Sequence, residues 1–125
     1  MMVERRKHTR LLLKDNAFAA LGKNYSKVGK IKNVSKGGLA FEYIVGEEDE
    51  EISCQVDIFL IGQVFHLYNL PCRPVYDDVV HVLNVNHQYV KALTTKCCGL
   101  EFRELNEDEL SQLNILFQTA IINSV

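Results

Sequence analysis

The chain has 125 residues, 47% of them apolar and 24% charged, and a net charge of −2. This length fits one domain that buries about two thirds of its unfolded surface, so its core needs neither metal nor disulfide staples. No apolar run reaches the roughly 18 residues of a membrane span, and LLL at 11–13 is followed at once by KDN, which excludes a secretory signal core. A soluble, cytoplasmic chain without a membrane span is expected.

The charge is unevenly spread. Residues 1–36 hold ten of the 14 Lys and Arg but only Glu4 and Asp15 of the 16 acids. A basic face on an acidic protein suits an anionic partner of limited size; a general DNA or RNA binder would be basic overall. The densest positive stretch is RRKHTR (5–10), read as part of a flexible N-terminal arm over 1–12. Residues 13–125 then form a single domain.

In chain order, NAFAALG (16–22), KVGKIKNVS (27–35), LAFEYIV (39–45), CQVDIFLI (54–61), VFHLYNL (64–70), VVHVLNV (79–85) and YVKALTTKCCGLEF (89–102) read as strands. In the second of these, Val28, Lys30, Lys32 and Val34 share one parity; Gly29, Ile31, Asn33 and Ser35 share the other. KGG, IGQ (61–63), PCRP (71–74) and NHQ (86–88) are turn signals, and EEDEE (47–51) is too polar to pack. A succession of about six short strands without intervening helices predicts an all-β, six-stranded antiparallel barrel. The period then changes. Leu110, Leu113, Leu116, Phe117, Ala120 and Ile121 form a helical stripe, Asn106 is the expected N-cap and Glu109 completes a capping box. The expected helix, 106–123, either caps the barrel or mediates homodimerisation.

Catalytic and metal patterns are weak. Cys54 and Cys72 stand alone, Cys97 and Cys98 are adjacent, and no C-x-x-C pair occurs, so the cysteines read as small buried thiols. His66, His81 and His87 are scattered and read as surface or packed side chains. Asp77 and Asp78 would point to opposite faces of a strand, a poor acid/base pair. No enzymatic activity and no cofactor are expected.

Two stretches carry recognition chemistry. Arg5, Arg6 and Arg10 supply planar guanidinium forks that bind phosphate or a guanine edge bidentately and stack on purines. In NVSKGG (33–38), Asn33 and Ser35 have the same parity and both donate and accept hydrogen bonds; the glycines permit close backbone approach. Taken alone, this second stretch is an ordinary turn.

Together, R-R-x-x-x-R and N-x-S-x-x-G resemble the signature of the PilZ domain, a bacterial receptor for cyclic di-GMP. LPCRPVYD (70–77) is similar to that family's central strand, and CGLEF (98–102) to its late strand before the final helix. The resemblance runs from about residue 4 to the end. It implies that Arg6 and Arg10, with Arg5 in support, wrap the ligand's guanines and phosphates, that Asn33 and Ser35 contact it from the barrel surface, and that Gly38 keeps the adjoining backbone clear. Asn33 is an accepted choice where Asp is common. The acidic loop and the Cys97–Cys98 pair match no family role. The resemblance further implies a receptor that changes conformation and relays the signal to an effector protein in motility, biofilm or exopolysaccharide control. The alternatives are an interaction module that does not bind the nucleotide, a single-stranded nucleic-acid binder and, least supported, a small enzyme.

Overall fold

A computed structural model describes residues 11–13, 16–22, 25–46, 55–62, 65–83 and 93–124. The expected arm with Arg5, Arg6 and Arg10, the acidic loop 47–51, Cys54 and the turn at 86–88 lie outside the described residues. The elements are β1 (Leu11–Leu13), β2 (Ala17–Leu21), β3 (Lys27–Val34), β4 (Gly38–Ile44), β5 (Gln55–Leu60), β6 (His66–Leu83), β7 (Leu93–Phe102), α1 (Glu107–Ala120) and β8 (Ile121–Ser124). Strands β2-β5-β6-β7-β4-β3 follow one another antiparallel, and a β2–β3 pairing closes them into the expected six-stranded barrel. β1 extends the sheet from the end of β3, and β8 pairs with β1.

Alternation explains the interior. Ala17, Ala19 and Leu21, then Leu39, Phe41 and Tyr43, then Val56, Ile58 and Leu60 face inward and are buried. Leu113 and Leu116, on the predicted helical stripe, are fully buried in the same core. Each such leucine contributes about 2 kcal/mol. The predicted capping box is formed: Glu109 N donates to Asn106 Oδ1 at 2.8 Å, and Asn106 N donates to Glu109 Oε1 at 3.0 Å.

Three expectations are corrected. PCRP is not a turn but lies inside β6, an 18-residue strand running from His66 to Leu83. Pro71 is the last β6 residue paired with β5, and a register shift follows Pro74. A proline is tolerated at such places because a ladder that ends or shifts does not require its missing N–H. The helix stops at Ala120, because Ile121–Ser124 pairs with β1 instead of completing the turn toward 123. Leu11 and Leu12, expected at the end of the arm, are strand.

One polar cluster ties the β2–β3 connection to the β5–β6 hairpin. Asp57 is 2% exposed. It accepts hydrogen bonds from Tyr25 Oη at 2.7 Å and from the Asn69 backbone N–H at 2.9 Å, and His66 Nε2 lies 3.0 Å from it. The β5–β6 register shifts at this point, and Asn69 has φ of 54°. The Asp57 carboxylate thus satisfies an N–H that the bulge removes from the ladder. His66 is a structural partner of Asp57, and its ring stacks on Tyr68. Replacing Asp57 with Ala leaves these donors unmatched, so Asp57→Ala is expected to cost about 2–4 kcal/mol, read as a lower midpoint in urea unfolding. An unchanged midpoint contradicts the role given to this carboxylate.

Candidate functional site

The N-x-S-x-x-G segment spans the end of β3 and the start of β4. Strict alternation from Ile31 would turn Asn33 into the core. The structure avoids this with a register shift at Lys32: Ile31 pairs with Phe41 and Asn33 with Ala40, the very next residue of β4. A bulge of this kind re-aims the side chains that follow it. Ile31 and Val34 are therefore both buried despite opposite parity, while Lys32 is exposed and Asn33 half-buried. Asn33 and Ser35 flank the inward-facing Val34 and share the outer face, as their parity suggested. They do not share it with Ile31, as parity also suggested.

Ser35 opens the turn. Its N–H donates to Gly38 O at 2.8 Å, and its Oγ accepts from Gly37 N at 3.1 Å. The hydroxyl proton is left to donate elsewhere. At Gly38 a Cβ would lie 2.0 Å from Leu100 O on β7. The glycine is thus required by the close approach of β7, a packing role within the N-x-S-x-x-G segment. Gly38→Ala is expected to cost about 1–3 kcal/mol through overpacking, seen as a lower thermal midpoint. Full stability in that variant refutes the role.

Pairing carries the face across the sheet. Asn33, Ala40, Gly99 and Tyr76 lie in one cross-strand row through β3, β4, β7 and β6. Gly38, Glu101 and Arg73 form the neighbouring row. Ala40 and Gly99 make a low floor between Asn33 and Tyr76. The Tyr76 ring covers Gly99, where an added Cβ would meet Cε1 at 2.1 Å. Arg73 reaches Glu101 at 3.2 Å, an exposed pair of small energetic weight. Lys32 lies 3.7 Å from Glu42 on the same side. The face therefore offers an amide, a hydroxyl, an aromatic ring and cationic groups, a combination suited to a planar, hydrogen-bonding anion. Tyr76 and Arg73 are absent from the site residues read from the sequence. Their signal lay in the central-strand stretch LPCRPVYD, whose apparent turn hid the register that brings them opposite Gly99 and Glu101.

The other candidates for chemistry are structural. Cys72 and Cys98 are buried and Cys97 is half-buried, as expected of small packed thiols. Burial, reinforced by the nearby Asp77 carboxylate, pushes the Cys98 thiol up to about 12. Burial also raises Cys97, against a hydrogen bond with Tyr76 that lowers it. Asp77 accepts from Tyr43 Oη at 2.7 Å and pairs with Lys27 Nζ at 3.2 Å, while Asp78 faces out. Burial and this hydrogen bond hold Tyr43 neutral well above the usual tyrosine range. Among the described residues, no group of three His, Cys, Asp or Glu side chains is arranged to hold a metal, and no helix is long and apolar enough to cross a membrane. A separate groove of about 810 Å³ is lined by Tyr25, Val28, Phe59, Phe65, His66 and Tyr68 among others, and by none of the motif residues Asn33, Ser35 and Gly38 among the described residues.

No protein-family model matches the sequence, and no curated protein matches it. Solved structures do. The PilZ domain with c-di-GMP of YcgR from Escherichia coli superposes with a TM-score of 0.63 at 16% identity, over 92% of this chain and 91% of that one. This chain has a PilZ-like fold. YcgR of Escherichia coli in complex with c-di-GMP gives 0.61 at 17% identity, and MrkH, described as a c-di-GMP-dependent transcription regulatory factor, gives 0.60 at 17%. The likeness covers 93% of this chain in both cases, but only 46% and 51% of those longer proteins. The expected fold class is therefore borne out, and the N-x-S-x-x-G segment occupies the outer face of a PilZ-like barrel.

Proposed function

We propose that this chain is a non-catalytic receptor for cyclic di-GMP. Asn33 and Ser35 contact the ligand from the barrel surface, and Arg6 and Arg10, with Arg5 in support, close over it. The observation that carries the reading is a single pairing: Leu11, the residue after Arg10, is opposite Val34, the residue between Asn33 and Ser35. The two halves of the signature are 23 positions apart between Arg10 and Asn33, yet the strand that begins next to Arg10 has its first residue opposite the Asn33–Ser35 segment. The neighbouring structures named for c-di-GMP support the same ligand.

The chemistry is consistent. Cyclic di-GMP is a compact dianion with two guanines. Guanidinium groups bind its phosphates through charge-assisted, often bidentate hydrogen bonds and stack on its bases. Closing the arm costs conformational entropy, which the ligand offsets. The altered arm then changes how the domain meets an effector protein. The receptor acts in the cytoplasm, with no cofactor.

Titration calorimetry tests this. Charge-assisted hydrogen bonds are worth about 1.5–3 kcal/mol each, so Arg6→Ala or Arg10→Ala is expected to weaken binding about tenfold or more, and the double variant to abolish it at micromolar ligand. Asn33→Ala weakens it about tenfold, while Tyr68→Ala in the separate groove leaves it unchanged. Absence of binding by the unaltered chain at micromolar ligand, or indifference to the double arginine variant, overturns the proposal. A partner whose capture does not depend on added ligand favours the nucleotide-independent interaction module.

A further inference from the structure

β6 is accompanied by β5 only as far as Pro71, whereas β7 follows it to Leu83. Beyond Arg73, among the described residues, no strand pairs with the other edge of β6. This edge is apolar: Val75, Val79, Val80, Val82 and Leu83 are each between 47% and 61% exposed. Exposed edges in soluble proteins are often blunted by proline or by charge, lysine above all; VYDDVVHVL (75–83) contains no lysine or proline, and of its two carboxylates Asp77 is taken up by Tyr43 and Lys27. Clustered apolar side chains on an open edge mark an interaction surface.

The order of side chains along the edge identifies the occupant. The β6–β7 register skips Val80: Val79 is opposite Lys96 and His81 is opposite Thr95. Counted along paired positions, Asp78 and His81 are therefore two steps apart and share the outer face with Tyr76 and Leu83. Asp77, Val79 and Val82 take the other face. We propose that this edge pairs antiparallel with the same edge of a second copy, about a two-fold axis through Val79. In that register Asp78 of each copy faces His81 of the other, Tyr76 faces Leu83, and Asp77 faces Val82. Directly opposed residues on an antiparallel pair share a face; here the outer-face oppositions join a carboxylate to an imidazole N–H and an aromatic ring to a leucine, while on the other face Asp77, opposite Val82, keeps its own partners Tyr43 and Lys27. An axis through Asp78 would set the two Asp78 carboxylates against each other. The self-complementarity is what a closed two-fold interface requires and what a foreign strand would not need. The dimer so formed uses neither α1 nor the Asn33–Ser35 turn.

Sedimentation of the full chain across the micromolar range tests the proposal. The unaltered chain is expected to dimerise. His81→Asp places two carboxylates opposite each other and Asp78→His two imidazoles, and each is expected to weaken the dimer at least about tenfold. The swap of both together, Asp78→His with His81→Asp, restores it to within about threefold. Both positions are exposed, so unchanged thermal midpoints keep folding out of the comparison. A chain that stays monomeric throughout, a dimer indifferent to His81→Asp, or a double swap that fails to restore association overturns the proposal.

Discussion

Val34 points into the core, and the outer face takes its shape from that. The barrel interior admits only apolar side chains at this position, and Ile31 must also be inside. Two inward residues three apart cannot both be accommodated by regular alternation. The bulge at Lys32 resolves the conflict by inserting one extra residue. Its consequence is that Asn33 and Ser35 emerge together beside a turn whose Ser35 N–H and Gly38 O are bonded to each other. The same Val34 is the residue against which β1 lays Leu11. Core packing, the bulge and the docking of the first strand thus converge on the segment that is proposed to meet the ligand.

The barrel is rigid where this segment needs support. β7 passes so close to Gly38, and the Tyr76 ring of β6 lies so close to Gly99 of β7, that neither position has room for a side chain without displacing Leu100 O or that ring. Leu113 and Leu116 join α1 to the same core. The remaining polar groups stabilise connections: Asp57 holds the β2–β3 and β5–β6 segments together, and Asp77 joins Tyr43 of β4 to Lys27 of β3. A rigid face that receives a cationic segment can act as a switch without chemistry of its own.

Much of this was legible in the residues. Alternation at Leu39, Phe41 and Tyr43 located one inward face, and Asn106 with Glu109 located the helix start to the residue. Periodicity was less informative wherever a bulge intervened. Parity grouped Asn33 with Ile31, which the bulge places on opposite faces, because nothing local announces an extra residue at Lys32. Pro71 and Pro74 read as turn punctuation, but they mark the stretch of β6 where it loses β5 and then shifts register against β7, both compatible with a missing N–H. The cross-strand neighbours Tyr76 and Arg73 depended on that register and were not recoverable from composition. β8 was hidden because Ile121 continues the apolar helical stripe, and only β1 supplies the long-range partner that makes it a strand.

The most direct test of the central claim is an NMR titration of the ¹⁵N-labelled chain with cyclic di-GMP. Shifts are expected to concentrate at the amides of Asn33 to Gly38 and along the row through Gly99 and Tyr76. The amides of Tyr25 and Tyr68 beside the separate groove should stay in place. Shifts centred on Tyr25 and Tyr68, with Asn33 and Ser35 unmoved, would contradict it.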